Sequence, residues 1–181
     1  MHPIEAQVAE YFSKGKRARP ALTLAMVLDT AGERILLGLK KRKLGAGYYN
    51  GFGGVVEVGE SVEDAAKREL FEESGLTYQT GHYSGLLEIV YKDWNERIFI
   101  YIFTVTATTG EPIETEEMTP AWFPLTAIPY PQMWPDDHFW LPLLLVGQEF
   151  HVRCTYEKGL FETPQLCLIS SHAPVLPAVS P

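Results

Sequence analysis

Three glutamates, Glu69, Glu72 and Glu73, stand together beside Arg68. Ser61 is a good N-cap with Asp64 three residues on, Gly75 is a natural stop, and no proline intervenes, so a helix is expected between them. Placed about 100° apart, Val62, Ala65 and Ala66 share a face with Glu69 and Glu73, with Glu72 at its edge. The apolar stripe thus ends in carboxylates. Glu69 and Glu73 are like charges at i,i+4, and all three lie where the helix dipole disfavours anions. Taken alone, such a cluster reads as a solvated charged helix end; set beside a core-facing stripe, it needs cations. Arg68 is i,i+4 to both Asp64 and Glu72 and offsets part of the charge. A hard divalent ion, Mg²⁺ or Mn²⁺, takes carboxylate oxygens and would supply the rest.

The cluster belongs to a longer spacing, G-x5-E-x7-R-E-U-x-E-E-x-G-U with U aliphatic. Gly54, Glu60, Arg68, Glu69, Leu70, Glu72, Glu73, Gly75 and Leu76 fill it. This resembles the signature of the Nudix hydrolase family. The resemblance implies an α+β Nudix fold, a mixed β-sheet sandwiched between helices. It also implies a loop–helix–loop that holds divalent metal against a nucleoside-diphosphate linkage.

Residues 37–42, 45–54, 117–123 and 133–137 extend the resemblance to family members that hydrolyse oxidised purine nucleoside triphosphates, of the 8-oxo-dGTP and 2-hydroxy-dATP type. It implies Mg²⁺-dependent release of nucleoside monophosphate and pyrophosphate, sanitising the nucleotide pool. On that resemblance Gly53 (through its carbonyl), Glu69, Glu72, Glu73 and Glu117 fall on metal positions, with Glu73 or Glu117 the proton acceptor and Arg68 orienting the carboxylates. Lys40, Asn50, Phe52, Gly53, Gly54, Met118, Trp134, Asp136 and Asp137 fall on substrate positions. Their chemistry suits the roles. Trp134 offers a flat face to a purine. Asn50 offers a donor and an acceptor. Asp136 and Asp137 accept when ionised and donate when protonated. Each also has a plainer reading: Trp134 as core, the aspartates as helix caps, Asn50 as a turn residue, Glu117 as one more surface acid. Val55, Leu44, Ala25 and residues 86–91 depart from the pattern near the expected pocket and leave the base preference open. The alternatives are another nucleoside-diphosphate-linked substrate, such as a dinucleotide, nucleotide sugar or RNA cap, and a binding module without catalysis.

Strands are expected at 21–29, 35–40, 81–91, 96–106 and 121–125, with a closing hairpin from 150–156 and 161–169. A second helix is expected from Asp136 or Asp137 to about Val146. The basic run Lys40, Lys41, Arg42 and Lys43 precedes five glycines in residues 45–54, whose backbone can approach a phosphate or metal closely. Residues 1–20 read as an extension, 21–169 as the hydrolase domain, and 170–181 as a flexible tail. With 46% hydrophobic and 21% charged residues, the 181-residue chain can bury a core. A net charge of −8 argues against a nucleic-acid polymer as partner, and no run is long enough for a membrane span. The expected partner is a small-molecule nucleotide, the expected state a monomer. Cys154 and Cys167 match no metal spacing. Each is expected to pack as a small apolar residue in a reducing compartment, the cytoplasm first, with mitochondrial or nuclear pools as further settings.

Overall fold

Continuous apolar runs such as those of residues 21–28 and 35–37 build a sheet with two buried faces, and a helix covers each. The computed structural model describes residues 21–92, 96–157, 164 and 166–170. The strands are β1 (Ala21–Asp29), β2 (Arg34–Lys40), β3 (Tyr49–Asn50), β4 (Thr77–Tyr91), β5 (Glu96–Thr109), β6 (Met118–Pro124), β7 (Phe150–Tyr156) and β8 (Leu166–Ser170). The helices are α1 (Val62–Ser74) and α2 (Asp137–Leu145). The strands run in the order β3-β2-β1-β5-β4-β7-β8, with β6 on the other edge of β2. Pairings β1–β5 and β4–β7 are parallel and the rest antiparallel, so the sheet is mixed.

Odd positions of β1 face α1. Ala25 and Val27 pack there with Phe52, Ala66, Leu70, Leu86 and Phe103. Even positions face α2. Leu24, Met26 and Leu28 pack there with Ile89, Ile102, Trp140, Leu141, Phe150 and Val152. One edge of β1 changes partner along its length. Residues 27–29 pair with β2, while Leu22 and Ala25 bridge to Val55 and Phe52. Backbone bonds Ala25 N–H to Phe52 O, Thr23 N–H to Gly54 O and Val56 N–H to Ala21 O lay the glycine-rich segment along β1. That lays the segment leading to α1 directly on the sheet.

The helix signals hold. Ser61 Oγ accepts the Asp64 N–H at 3.0 Å, and Gly75 ends α1 at φ 74°. Several expectations need correction. β4 starts four residues before the expected strand, directly after α1, because bulges near residues 78–85 let it track β5. β6 starts at Met118 rather than 121. Ser170 belongs to β8 and not to the tail. Ala25 is wholly buried beneath α1, on the face of the sheet opposite Asp136 and Asp137. The cysteines are not separate thiols. The β7–β8 register sets Cys154 opposite Cys167, and they form a disulfide with Cα atoms 4.2 Å apart. The expected extension, the turn between the 81–91 and 96–106 strands at residues 93–95, residues 158–163 and 165 of the closing hairpin, and residues 171–181 lie outside the described residues. Among the described residues, no helix is long and apolar enough to cross a membrane.

Candidate active site

The last turns of α1 present the carboxylates in three different settings. Glu73 faces inward and is 3% exposed. Its Oε1 lies 3.2 Å from Lys40 Nζ, and its Oε2 accepts the Gly53 N–H at 2.9 Å. Burial pushes its pKa up, with Lys40 and the Gly53 amide opposing. Gly53 must be glycine here, since a Cβ would collide with the Thr23 carbonyl. Glu69 is mostly buried and lies where a Cβ on Gly54 would strike its carboxylate. Glu72 points outward, more than half exposed.

Arg68 ties these groups to the preceding loop. Its Nε and Nη2 hold the two oxygens of Glu60 at 2.9 and 3.0 Å. Nη1 reaches Glu69 at 2.8 Å and Glu72 at 3.3 Å, and Nη2 also donates to the Val55 carbonyl at 3.1 Å. The fork lowers the Glu60 pKa and raises that of Arg68. The expected i,i+4 pair of Arg68 with Asp64 does not form. Asp64 is taken by the Ser61 cap and lies 3.9 Å from Lys67.

Glu117 accepts from Arg42 Nη2 and Lys43 Nζ, each at 2.7 Å. Burial raises its pKa, but Lys43 and Arg42 outweigh it, and the net shift is downward. Met118, next along β6, is buried, as is Phe52, so both support the site from behind. Asn50 is half-buried in β3, and its Oδ1 accepts the Gly51 N–H at 2.8 Å.

Trp134, Asp136 and Asp137 gather on the other face of the sheet. The half-buried Trp134 ring lies 6.2 Å from Tyr48 between centroids. It packs on Gly45, where a Cβ would approach its Cζ2 to 3.0 Å. Asp136 precedes α2 but makes no side-chain cap, whereas Asp137 Oδ2 accepts the Trp134 N–H at 3.1 Å. So neither aspartate caps the first turn of α2, and Asp137 instead braces the turn that precedes it. The loop between β2 and β3 links the two groups, holding Glu117 through Arg42 and Lys43 and Trp134 through Gly45 and Tyr48.

Sequence reasoning missed Tyr156 and Tyr91, which are buried beside the aspartate pair. Tyr156 O–H donates to Asp136 Oδ1 at 2.7 Å. The available signal was the alternation Phe150, Val152, Cys154, Tyr156, which turns a tyrosine inward where its hydroxyl needs a partner. The Lys40–Glu73 ion pair was also missed, because Lys40 read only as a substrate contact.

Among the described residues, no three His, Cys, Asp or Glu side chains converge as a ready metal cage. The donor chemistry nevertheless suits a hard cation. Glu69, Glu73 and Glu117 each hold a basic side chain, in Arg68, Lys40 and the Arg42–Lys43 pair, where a metal could take over the compensation.

Residues 18–144 match the family model described as the NUDIX domain. The chain is 48% identical over 128 residues to the mouse oxidized purine nucleoside triphosphate hydrolase, covering 71% of this chain and 81% of that one. It is 47% identical over 129 residues to the zebrafish protein of that name, with the same coverage. The mMutator MutT protein of Bacillus halodurans shares the fold at TM-score 0.70 and 21% identity, covering 84% of this chain and 99% of its own. Nudix hydrolases generally use divalent metals. The chain belongs to the Nudix hydrolase family.

Proposed function

We propose that this protein hydrolyses oxidised purine nucleoside triphosphates to nucleoside monophosphate and pyrophosphate. The observation that carries the reading is the pairing, on one chain, of the α1 carboxylate cluster with a buried aspartate pair, one member of which accepts the Trp134 backbone N–H. The mouse and zebrafish relatives support the substrate class by their names.

Glu69, Glu72, Glu73, Glu117 and the Gly53 carbonyl would hold divalent metal, Mg²⁺ by preference and Mn²⁺ as a substitute. When bound, such an ion neutralises phosphate charge and makes water more acidic. Glu73 takes the proton of the attacking water. In the metal-free protein burial raises its proton affinity, while Arg42 and Lys43 lower that of Glu117, the other candidate acceptor. Arg68 fixes the carboxylate geometry from behind, and Lys40 is released from Glu73 to meet the substrate. Gly53 and Gly54 leave room for it, and Phe52 and Met118 back the wall. Trp134 stacks on the base, Asn50 reads one edge, and Asp136 and Asp137 read another.

The catalytic unit is residues 21–170, acting as a monomer on a free nucleotide and not on a nucleic-acid polymer or a membrane. Its setting is the cytoplasmic nucleotide pool, with mitochondrial or nuclear pools as further settings, although the Cys154–Cys167 disulfide removes the cysteine argument for a reducing compartment. The test is a panel of oxidised and normal purine triphosphates, a dinucleotide, a nucleotide sugar and a capped RNA, read by pyrophosphate or phosphate release with and without Mg²⁺. Preference for an oxidised triphosphate supports the reading. Preference for another substrate, or no Mg²⁺-dependent release, overturns it.

A further inference from the structure

Asp136 and Asp137 are 5% and 2% exposed, and each is held by a different donor. The Tyr156 hydroxyl on β7 donates to Asp136 Oδ1 at 2.7 Å. The Trp134 backbone N–H donates to Asp137 Oδ2 at 3.1 Å. Tyr156 is itself fixed, stacked on Tyr91 of β4 with ring centroids 5.5 Å apart. The groups that bear on the pair are Tyr156 from β7, Tyr91 from β4, Tyr130 from the turn before α2, and Trp140 on α2; none is a cation. The buried Trp140 indole N–H favours the charged form of both carboxyls without making a hydrogen bond of ordinary geometry.

Two adjacent dry carboxyls do not both ionise readily, so the pair retains a proton. The donors decide where it sits. Burial keeps the Tyr156 phenol protonated, which makes it a constant donor. An anion accepts from such a donor more strongly than a neutral acid does. Charge is therefore drawn to Asp136. We propose that Tyr156 is a specificity-determining residue whose hydroxyl, donated to Asp136, makes Asp136 the acceptor and Asp137 the donor that the pair presents to a base. The inference rests on the purine-pocket reading above. Burial raises the pKa of both aspartates, in keeping with a proton held by the pair. A pair that shared its proton evenly would serve two different base edges alike. A pair biased by a phenol favours the base with an N–H opposite Asp136 and an acceptor opposite Asp137. The reverse base must move the proton against the Tyr156 hydrogen bond.

The test is Tyr156→Phe, which deletes one oxygen and keeps the ring stacked on Tyr91. The ratio of kcat/KM for 8-oxo-dGTP and 2-hydroxy-dATP should change roughly tenfold, the scale of one hydrogen bond to a charged group, and mainly through KM. The limb of the pH profile set by the pair should move to higher pH, because the lost donor favoured ionised Asp136. In an Asp136→Asn background the same substitution should leave the ratio unmoved. A readout independent of turnover is the titration of the two carboxyl carbons by NMR in free protein. In the wild type Asp137 should deprotonate above Asp136, and in Tyr156→Phe the gap should narrow. Equal losses on both nucleotides at every pH, or an unchanged carboxyl titration, overturn the proposal. If neither nucleotide is hydrolysed, the proposed function fails, while the titration still decides whether Tyr156 places the proton.

Discussion

Glu73 combines burial with a charge, and its partners set what a substitution does. Glu73→Gln keeps the acceptor for the Gly53 amide, removes the ionisation that burial opposes, and also removes the charge that pairs with Lys40. Turnover should fall at least about 10²-fold, the scale of a positioned proton acceptor. The melting temperature of the metal-free protein should change little, because relief of the buried charge offsets the lost Lys40 pair. Near wild-type pyrophosphate release from the folded variant would remove Glu73 from the chemistry. Asp137 allows a second test by pH. Its folded pKa stands well above the ordinary 3.8, so between those values the native state binds the extra proton. Its contribution to stability therefore falls as pH rises from about 3.8 through the folded value. Glu60 has the opposite sign, since its lowered pKa gives stability that is lost as pH falls. Asp137→Asn can still accept the Trp134 N–H but carries no charge. It should melt higher than wild type at neutral pH, by roughly 2 °C or more, and the gain should shrink toward acid pH. A gain that persists at pH 4 would show that ionisation is not its source.

At the scale of elements, Arg68 joins α1 to the loop before it. Its planar fork spans both oxygens of Glu60 while Nη1 holds Glu69. A lysine ammonium cannot reproduce that geometry. Arg68→Lys should cost about 1–2 kcal/mol, reduced from the buried-pair scale because the side chain is partly exposed. It should also lower activity more than stability, since Glu69 loses its anchor. An unchanged melting curve would show that the 55–60 loop is held by other contacts. The α1 site was legible because its signals are local: a cap at Ser61, a stop at Gly75, and spacings of three and four residues. The shared face of Glu69 and Glu73 follows from those spacings, while their reading as a site rests on the longer Nudix-like pattern from Gly54 to Leu76. The pairing of distant strands was not legible. Nothing local says that β1 leaves β2 for residues 52–56, that β7 lies parallel to β4, or that Cys154 meets Cys167. The same limit hid Tyr156, whose partner Asp136 lies on another element and is brought near only by packing.

For the whole molecule, a single buried charge ties three strands together in the half of the sheet away from β2. Glu88 of β4 is 1% exposed, yet it faces Arg97 of β5 at 3.2 Å and Arg153 of β7 at 2.6 Å, with His151 Nε2 at 3.4 Å. The two arginines are about half exposed, so the desolvation falls mainly on the carboxylate. That makes the consequences of substitution unequal. Glu88→Gln leaves two guanidinium groups that water can reach, and it should be mild. The double variant Arg97→Ala/Arg153→Ala leaves a buried carboxylate with neither guanidinium partner, and it should cost about 3–5 kcal/mol. The triple variant that adds Glu88→Gln should recover most of that loss, because the uncompensated charge is gone. Urea unfolding of the four proteins supplies the comparison. Equal destabilisation by Glu88→Gln and by the double arginine variant, with no recovery in the triple, would mean that packing rather than buried charge holds these strands in register.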